Sequence, residues 1–431
     1  TLFRSPLVLG NLFQLTYNAA DSVIVGKYVG EQALAAVGTS TPIMNIAILL
    51  ISGMCMGASV LMSSQYGAKD YDTLSRQIST TMLAGCGFSV VFSLLMLLLA
   101  NPVLRLIRVP ETAIPEAAAY LRIIFMGLIF TFMYNFLANT MRALGDSKTP
   151  LYFLVTSAFL NIFGDLFFVV VLRWGVAGSA IATVCSEGLC CLLCGIYIKK
   201  KIPLLCLGKK WWVFDKSLLG KTVSYGSTSA MQQVCLQLGK LIIQSVVNTQ
   251  GVAVMAAFTA VNRVDDFAYT PQQNIGHAMT TFLAQNKGAG HKERMKKGFQ
   301  TGLLIELVYS IGLFCVIWGL APQIMTLFAE DGDAQVVSLG ISYLHLISWM
   351  YILPGLTNGV QGFFRGIGDL KVTLYSTFMN MFGRVVAVFV MIRLLQMEFA
   401  SLAWANMVGW IVMLLFEVPL LVKSMRNGEC G

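Results

Sequence analysis

Two aspartates, Asp21 and Asp165, stand inside runs of residues that are otherwise apolar, and two further oxygen-bearing residues, Asn161 and Thr183, stand in runs of the same kind. A carboxylate alone in hydrocarbon is costly, so an acid retained there normally faces a protein interior and marks the path of an ion or substrate. Two nearby carboxylates at low dielectric raise each other's affinity for a proton, which suits a site that loads and releases H⁺ near neutral pH. Two Asp, an amide carbonyl and a hydroxyl are equally the hard oxygen ligands that Na⁺ accepts, by analogy with other hard cations. The residue types point to reversible cation binding and leave H⁺ and Na⁺ both open.

Covalent chemistry is not indicated. No Walker A loop, nucleophile elbow, His-Glu-x-x-His motif or glycine-rich dinucleotide loop occurs. His277 and His345 stand alone, without metal-ligand spacing. Most of the ten cysteines, including Cys185, Cys190, Cys191, Cys194 and Cys315, lie in apolar helical runs and read as small hydrophobes, so Cys191-x-x-Cys194 is not a redox motif. The expectation is a protein that is not an enzyme and needs no cofactor beyond a coupling ion.

The elements that must hold these residues are membrane helices. Of 431 residues, 56% are hydrophobic and only 12% charged, with mean hydropathy +0.72, whereas soluble domains carry about 25% charged residues. Apolar runs of roughly 20 residues or more predict an all-α polytopic membrane protein with twelve transmembrane helices. The net charge of +9 comes from Lys and Arg scattered through short loops. Because they form no continuous stripe, the expected partner is the lipid bilayer and not nucleic acid. Twenty Lys and Arg fall on one side of the spans and five on the other, which predicts that both termini are cytoplasmic. The most basic loop, residues 199–216, joins six spans in residues 1–198 to six in 217–431. Thr1 runs almost directly into the first span, so no cleavable signal is expected there.

Orientation converts position into depth. Asp165 lies about seven residues, and Asp21 about six, from the outer ends of the fifth and first spans, and Thr183 comes about eight residues into the sixth, so all three share one level roughly 10 Å deep. Asn161 is one turn from Asp165 on the same face, and Glu187 one turn from Thr183, which puts those two on the next level. Arg122 in the fourth span lies near the aspartate level, where it offsets their charge or snorkels. Arg263, Asp265, Asp266 and Arg384 sum to zero charge and read as structural ion pairs of the second half. Lys240, Glu306 and Glu417 read equally as snorkelling or gating residues.

The chain repeats itself. Asn161-Ile162-Phe163-Gly164-Asp165 returns 219 positions later as Asn380-Met381-Phe382-Gly383-Arg384. Arg142-x-x-Gly145-Asp146-x-Lys148 matches Arg365-x-x-Gly368-Asp369-x-Lys371, and Tyr120-Leu121 matches Tyr343-Leu344, each 223 positions apart. Gln65-Tyr66-Gly67-Ala68 is echoed by the stretch from Gln285 to Ala289. Six spans, an even number, separate the copies, so the halves are expected to be related by an axis along the membrane normal. Arg384 stands where the first half has Asp165, and a guanidinium holds its proton throughout the physiological range. Ion coupling is therefore expected in the first half.

Taken together, these features resemble the MATE (multidrug and toxic compound extrusion) transporters. The resemblance rests on the twelve spans in two halves, the Asn161-x-x-x-Asp165 and Asn380-x-x-x-Arg384 pair, and the twin Arg-x-x-Gly-Asp-x-Lys loops. Ala35-Ala36-Val37-Gly38 opening the second span and Gln65 to Ala68 closing it extend the resemblance over essentially the whole chain. It implies two pseudo-two-fold-related six-helix bundles forming a V-shaped central cleft. It also implies a secondary active antiporter that exports organic, often cationic and amphipathic compounds in exchange for H⁺ or Na⁺ by alternating access. The resemblance extends to the prokaryotic branch with an acidic ion site in its N-lobe, whose roles carry onto Asp21, Asn161, Asp165 and Thr183, with Pro6 similar to that branch's first-helix Pro. Another branch has a Glu on the seventh helix and an Asp on the tenth, and here residues 224–234 and 357–363 contain no carboxylate. A monomer in the plasma (inner) membrane is expected, with a small-molecule organic cation or drug as partner. The chain's 27 Phe and 22 Met suit a cleft whose lining adapts to varied ligands. The alternative is a flippase for a lipid-linked sugar, which twelve spans and the N-lobe acids disfavour.

Overall fold

The structure, a computed structural model, describes residues 24–25, 27–106, 109, 111, 113–202, 212–328, 334–394 and 399–426. Asp21 and Pro6 lie outside the described residues. Among the described residues there are helices and connecting turns but no strand.

The helices are α1 (Glu31–Gly67), α2 (Tyr71–Leu106), α3 (Ile114–Met126), α4 (Leu128–Ala143), α5 (Lys148–Asp165), α6 (Gly175–Lys201), α7 (Lys216–Val247), α8 (Val252–Gly288), α9 (Lys292–Phe328), α10 (Ala334–Ser348), α11 (Ile352–Ile367), α12 (Leu370–Phe389) and α13 (Ala400–Arg426). A π-helical turn, Leu166–Val171, continues α5, and another, Val390–Leu394, continues α12. Counting α3 with α4 and α10 with α11 as bent rods, the described residues form eleven rods that match, in order, the second to twelfth expected spans. Eight of these are long and apolar enough to cross a membrane, and the α3–α4 pair, bent by 46° at Gly127, makes a ninth. Rods α7 and α8 are also of spanning length, at 32 and 37 residues. Their lower apolarity reflects Lys216, Lys221 and Lys240 on α7 and Arg263, Asp265, Asp266 and Lys287 on α8. The protein is an all-α polytopic membrane protein.

The chain divides into two compact units, Ser5–Ala230 and Met231–Gly431, with the division falling inside α7. In the first, Phe125, Leu128, Phe132 and Phe136 of the bent α3–α4 rod are fully buried against Ile51 and Met62 of α1 and Leu74 and Leu104 of α2. Lipid is as apolar as these side chains, so their contribution is close packing more than escape from water. Small residues permit it: Gly85 leaves the space that the Phe132 ring fills.

The end of the basic linker and the start of α7 are stitched to α2 within this unit. The Val213 amide donates to Ser79 Oγ at 3.0 Å, the Asp215 amide to Thr80 Oγ1 at 3.1 Å, and Gln77 Nε2 to Thr222 Oγ1 at 2.5 Å. Arg76 closes the seam with an ion pair to Asp215 at 2.5 Å. Asp215 also caps α7 by accepting from the Ser217 and Leu218 amides, a carboxylate at the positive end of a helix.

In the second unit, Tyr343, Leu344, Ile347, Met350 and Tyr351 form a buried core with Val261 of α8 and Ala403 of α13. Met279, Leu283, Phe299 and Phe363 form a second cluster. The repeat read in the sequence recurs as matched local geometry. Gly145 and Gly368, 223 positions apart, both take the left-handed conformation, with φ of 92° and 87°. In each, the glycine amide closes back on an arginine carbonyl, Arg142 or Arg365, at 2.9 and 3.0 Å. The following aspartate amide reaches Met141 or Phe364, at 3.0 and 2.9 Å. This is the glycine-terminated helix end that lets the chain reverse directly into the next helix. Tyr120 and Leu121 are as buried as their partners Tyr343 and Leu344. The backbone also breaks at matching points, Gly127 in one unit and the 3₁₀ turn Trp349–Tyr351 in the other.

Candidate functional site

Asn161 and Asp165 lie one turn apart on α5, and both are buried, at 2% and 0% exposure. Asn161 Nδ2 donates to Thr183 Oγ1 of α6 at 3.1 Å. The two helices approach this closely because Gly164 has no side chain: a Cβ there would stand 3.0 Å from the Ala182 Cβ. One turn later a Cβ on Gly178 would meet the Phe168 carbonyl group at 3.0 Å, so α6 rides on the backbone of the π turn. With Nδ2 committed to Thr183, Asn161 Oδ1 is a buried acceptor that has no partner among the described residues.

Asp165 is the last α-helical residue before the π turn. A π turn inserts one residue into the helical register and is frequently found at functional sites. Here it follows directly on the buried acid. The structure therefore brings Asn161 and Thr183 together, with Asp165 a turn along the same helix, while Asp21 lies outside the described residues. No group of three or more His, Cys, Asp or Glu side chains gathers as a metal site among the described residues.

The secondary candidates fall elsewhere. Glu187 turns to α4, where its Oε2 accepts from Thr131 Oγ1 at 2.5 Å, so a neighbouring helix and not Asn161 claims it. Arg122 is exposed and makes no ion pair among the described residues.

The second half corrects one expectation. Arg263, Asp265, Asp266 and Arg384 do not pair with one another. Asp266 pairs with Lys240 of α7 at 3.5 Å, both being more than half exposed. Asp265 is buried and accepts the Tyr351 hydroxyl at 2.5 Å. Arg263 is exposed, and Arg384 is within electrostatic reach of Asp265 without forming an ion pair. The reason is helical geometry: Asp265 and Asp266 are adjacent and point about 100° apart, so one faces the core and the other does not. The Asn380 to Arg384 stretch keeps its close helix contact, since a Cβ on Gly409 of α13 would lie 3.0 Å from the Asn380 carbonyl and 3.1 Å from the Arg384 Cβ.

A buried polar network in the second unit was not legible in the sequence. Gln232 Nε2 donates to Gln361 Oε1 at 3.2 Å and Thr377 Oγ1 at 2.9 Å. Gln361 Nε2 reaches Thr377 Oγ1 at 3.1 Å, and Arg365 Nη2 donates to Gln361 Oε1 at 2.9 Å. Arg365 opens the repeated Arg-x-x-Gly-Asp-x-Lys motif, yet it lies in α11 and is only 7% exposed, and Glu417 of α13 lies within its electrostatic reach. The one available signal was the basic residue of the repeated Arg-x-x-Gly-Asp-x-Lys loop facing an intramembrane Glu.

Comparison with known proteins adds independent findings. The family model MatE matches twice, over residues 6–167 and 229–390, two copies displaced by the same 223 positions as the twin loops. The probable multidrug resistance protein YpnP of Bacillus subtilis is 32% identical over 376 residues, covering 86% of this chain and 83% of that protein. The probable multidrug resistance protein NorM of Thermotoga maritima is 23% identical over 417 residues, covering 94% and 88%. A crystal structure of MATE in complex with MaL6 superposes with a TM-score of 0.91 at 20% identity, covering 98% of this chain and 95% of that one.

Proposed function

Because the chain belongs to the MatE family, a family of transporters and not of enzymes, we propose that it is a secondary active antiporter. It exports organic, often cationic and amphipathic compounds in exchange for H⁺ or Na⁺ by alternating access. Relatives described as multidrug resistance proteins support this substrate class. The observation that carries the coupling is the buried Asp165 at the α-to-π junction, one turn from the Asn161–Thr183 hydrogen bond. Asp21, which lies outside the described residues, is assigned to the same site from its position in the sequence alone. Residues 1–198 and 217–431 act as lobes joined by the basic segment 199–216, in the plasma membrane, with both termini cytoplasmic.

Binding of the ion to the first-half acids biases the equilibrium between two conformations by its differential affinity for them, and by no more than that. The substrate competes for the opposite conformation, so the ion gradient drives export. The test is flux of tetraphenylphosphonium or ethidium in proteoliposomes with H⁺ and Na⁺ gradients imposed separately. Accelerated flux under one gradient, lost in Asp165→Asn, is expected. Flux indifferent to both gradients would defeat the antiport reading.

A further inference from the structure

The second unit holds an acid that the proposed coupling does not use. Glu306, midway along α9, is 0% exposed, and neither carboxylate oxygen has a hydrogen-bond partner among the described residues. Two other helices, α8 and α11, pack against α9 at this point. A Cβ built on Gly355 of α11 would lie 3.5 Å from Glu306 Oε2, 3.3 Å from Gln272 Nε2 of α8 and 2.8 Å from Ser310 Oγ of α9. The missing Cβ therefore marks a single small space that these polar atoms border. Gln272 and Ser310 are themselves buried. Gln272 Nε2 donates to Ser310 Oγ at 3.0 Å and to the Tyr351 carbonyl at 2.9 Å. Ser310 Oγ reaches the same carbonyl at 3.2 Å. Gln272 Oε1 is likewise buried and has no partner among the described residues.

Among the described residues Glu306 makes no ion pair. The titratable neighbours are Tyr309 on its own helix and Tyr351, whose hydroxyl is committed to Asp265, with Asp265 itself beyond. Gln272 of α8 and Ser310, one turn along α9 from Glu306, are neutral. A buried carboxylate with neither hydrogen bonds nor a partner charge is among the costliest groups a membrane interior can hold. A bound cation removes that cost without moving the fold.

We propose that Glu306, with Gln272 and Ser310 against Gly355, is a second monovalent-cation site in the second half of the protein, occupied by H⁺ or Na⁺. It goes beyond the first-half coupling site and does not depend on it. Tyr351 connects it to the helix break: the residue receives Gln272 and Ser310 at its carbonyl and donates its hydroxyl to Asp265. Occupancy of the Glu306 site is thus coupled through one residue to the 3₁₀ turn at which α10 and α11 meet.

The test is infrared difference spectroscopy of the full chain in lipid bilayers, in an Asp21→Asn, Asp165→Asn background that silences the first-half acids. One arm switches the buffer from acidic to alkaline without Na⁺; the other adds NaCl at fixed pH. The expected result is a carboxyl band in one arm that disappears in Glu306→Gln and shifts in frequency in Glu306→Asp. A response to pH alone identifies the occupant as H⁺, and a response to NaCl identifies Na⁺. Spectra of a folded Glu306→Gln protein identical to the parent in both arms would overturn the proposal. Should Glu306→Gln fail to fold, an unshifted band in Glu306→Asp would overturn it equally. Because first-half coupling is already absent in this background, its failure is read separately, in the flux assay.

Discussion

Asn161 on α5 and Thr183 on α6 are tied by a single 3.1 Å hydrogen bond, and the tie uses the amide nitrogen. The amide oxygen is thereby left as an acceptor in a buried place. The bond is thus positional: it orients a buried acceptor oxygen and fixes the spacing of two helices one turn from Asp165.

Thr183→Val keeps the shape of the side chain and removes the hydroxyl, so the buried Asn161 amide loses its partner. Stability is expected to fall by about 1–3 kcal/mol, and gradient-driven flux to fall with it. Thr183→Ser is expected to restore both. Thermal unfolding in detergent and flux in vesicles measure the two effects, and full flux in Thr183→Val would remove Thr183 from the site.

Asp165→Asn should reduce gradient-driven flux at least about tenfold, because a hydrogen bond to a charged group is worth roughly 1.5–3 kcal/mol. The neutral amide keeps the volume, so the purified protein is expected to remain folded and monodisperse. Normal coupling in the Asp21→Asn, Asp165→Asn double variant would exclude first-half coupling.

Gly164→Val places two methyl groups beyond a Cβ that already stands 3.0 Å from Ala182. Overpacking of this kind costs about 1–3 kcal/mol. It also forces α5 and α6 apart, so flux should fall more than stability alone accounts for. Gly220→Val, at a glycine with open space around its Cβ position, is the control and should be mild.

Tyr351→Phe removes the hydroxyl that Asp265 accepts and leaves a buried carboxylate oxygen without its donor. A loss of about 1–3 kcal/mol is expected. Asp266→Asn breaks only an exposed 3.5 Å pair with Lys240 and should cost less than about 1 kcal/mol. Equal costs for the two would contradict the assignment of Asp265 as the buried partner.

A cysteine introduced at Lys210 in a cysteine-free protein should react with a membrane-impermeant maleimide only after permeabilisation. Labelling of intact cells would reverse the proposed orientation.

The helical architecture and the duplication were legible because both leave dense traces: apolar runs of spanning length, and loops in which Gly145 and Gly368 meet a backbone requirement that favours glycine. Asn161, Asp165 and Thr183 were legible singly as polar residues in apolar runs, but rise per residue alone set Thr183 level with Asp165 and Asn161 level with Glu187, whereas the hydrogen bond joins Asn161 to Thr183. The faces of adjacent charges were not legible. Asp265 and Asp266 read as one acidic pair, although helical geometry sends one to the Tyr351 hydroxyl and the other toward Lys240. Glu187 was assigned by level alone, and the competing hydroxyl of Thr131 lies on a helix 56 residues away. Gln232, Gln361 and Thr377 escaped for a related reason: neutral polar residues are unremarkable singly and become a network only when three helices pack.

The seam between residues 213–222 and the start of α2 changes what a severed chain would do. A cut between residues 202 and 212 would remove from the first unit the strip of polypeptide that hydrogen-bonds to Ser79, Thr80 and Gln77, and the N-terminal fragment would be left with a raw edge. The C-terminal fragment would keep that strip as a sticky end. Two pieces made at this point, produced separately in one cell, would carry complementary surfaces by which to find each other again. A cut placed after residue 230 would leave the strip with the N-terminal piece and give no such means of reassembly.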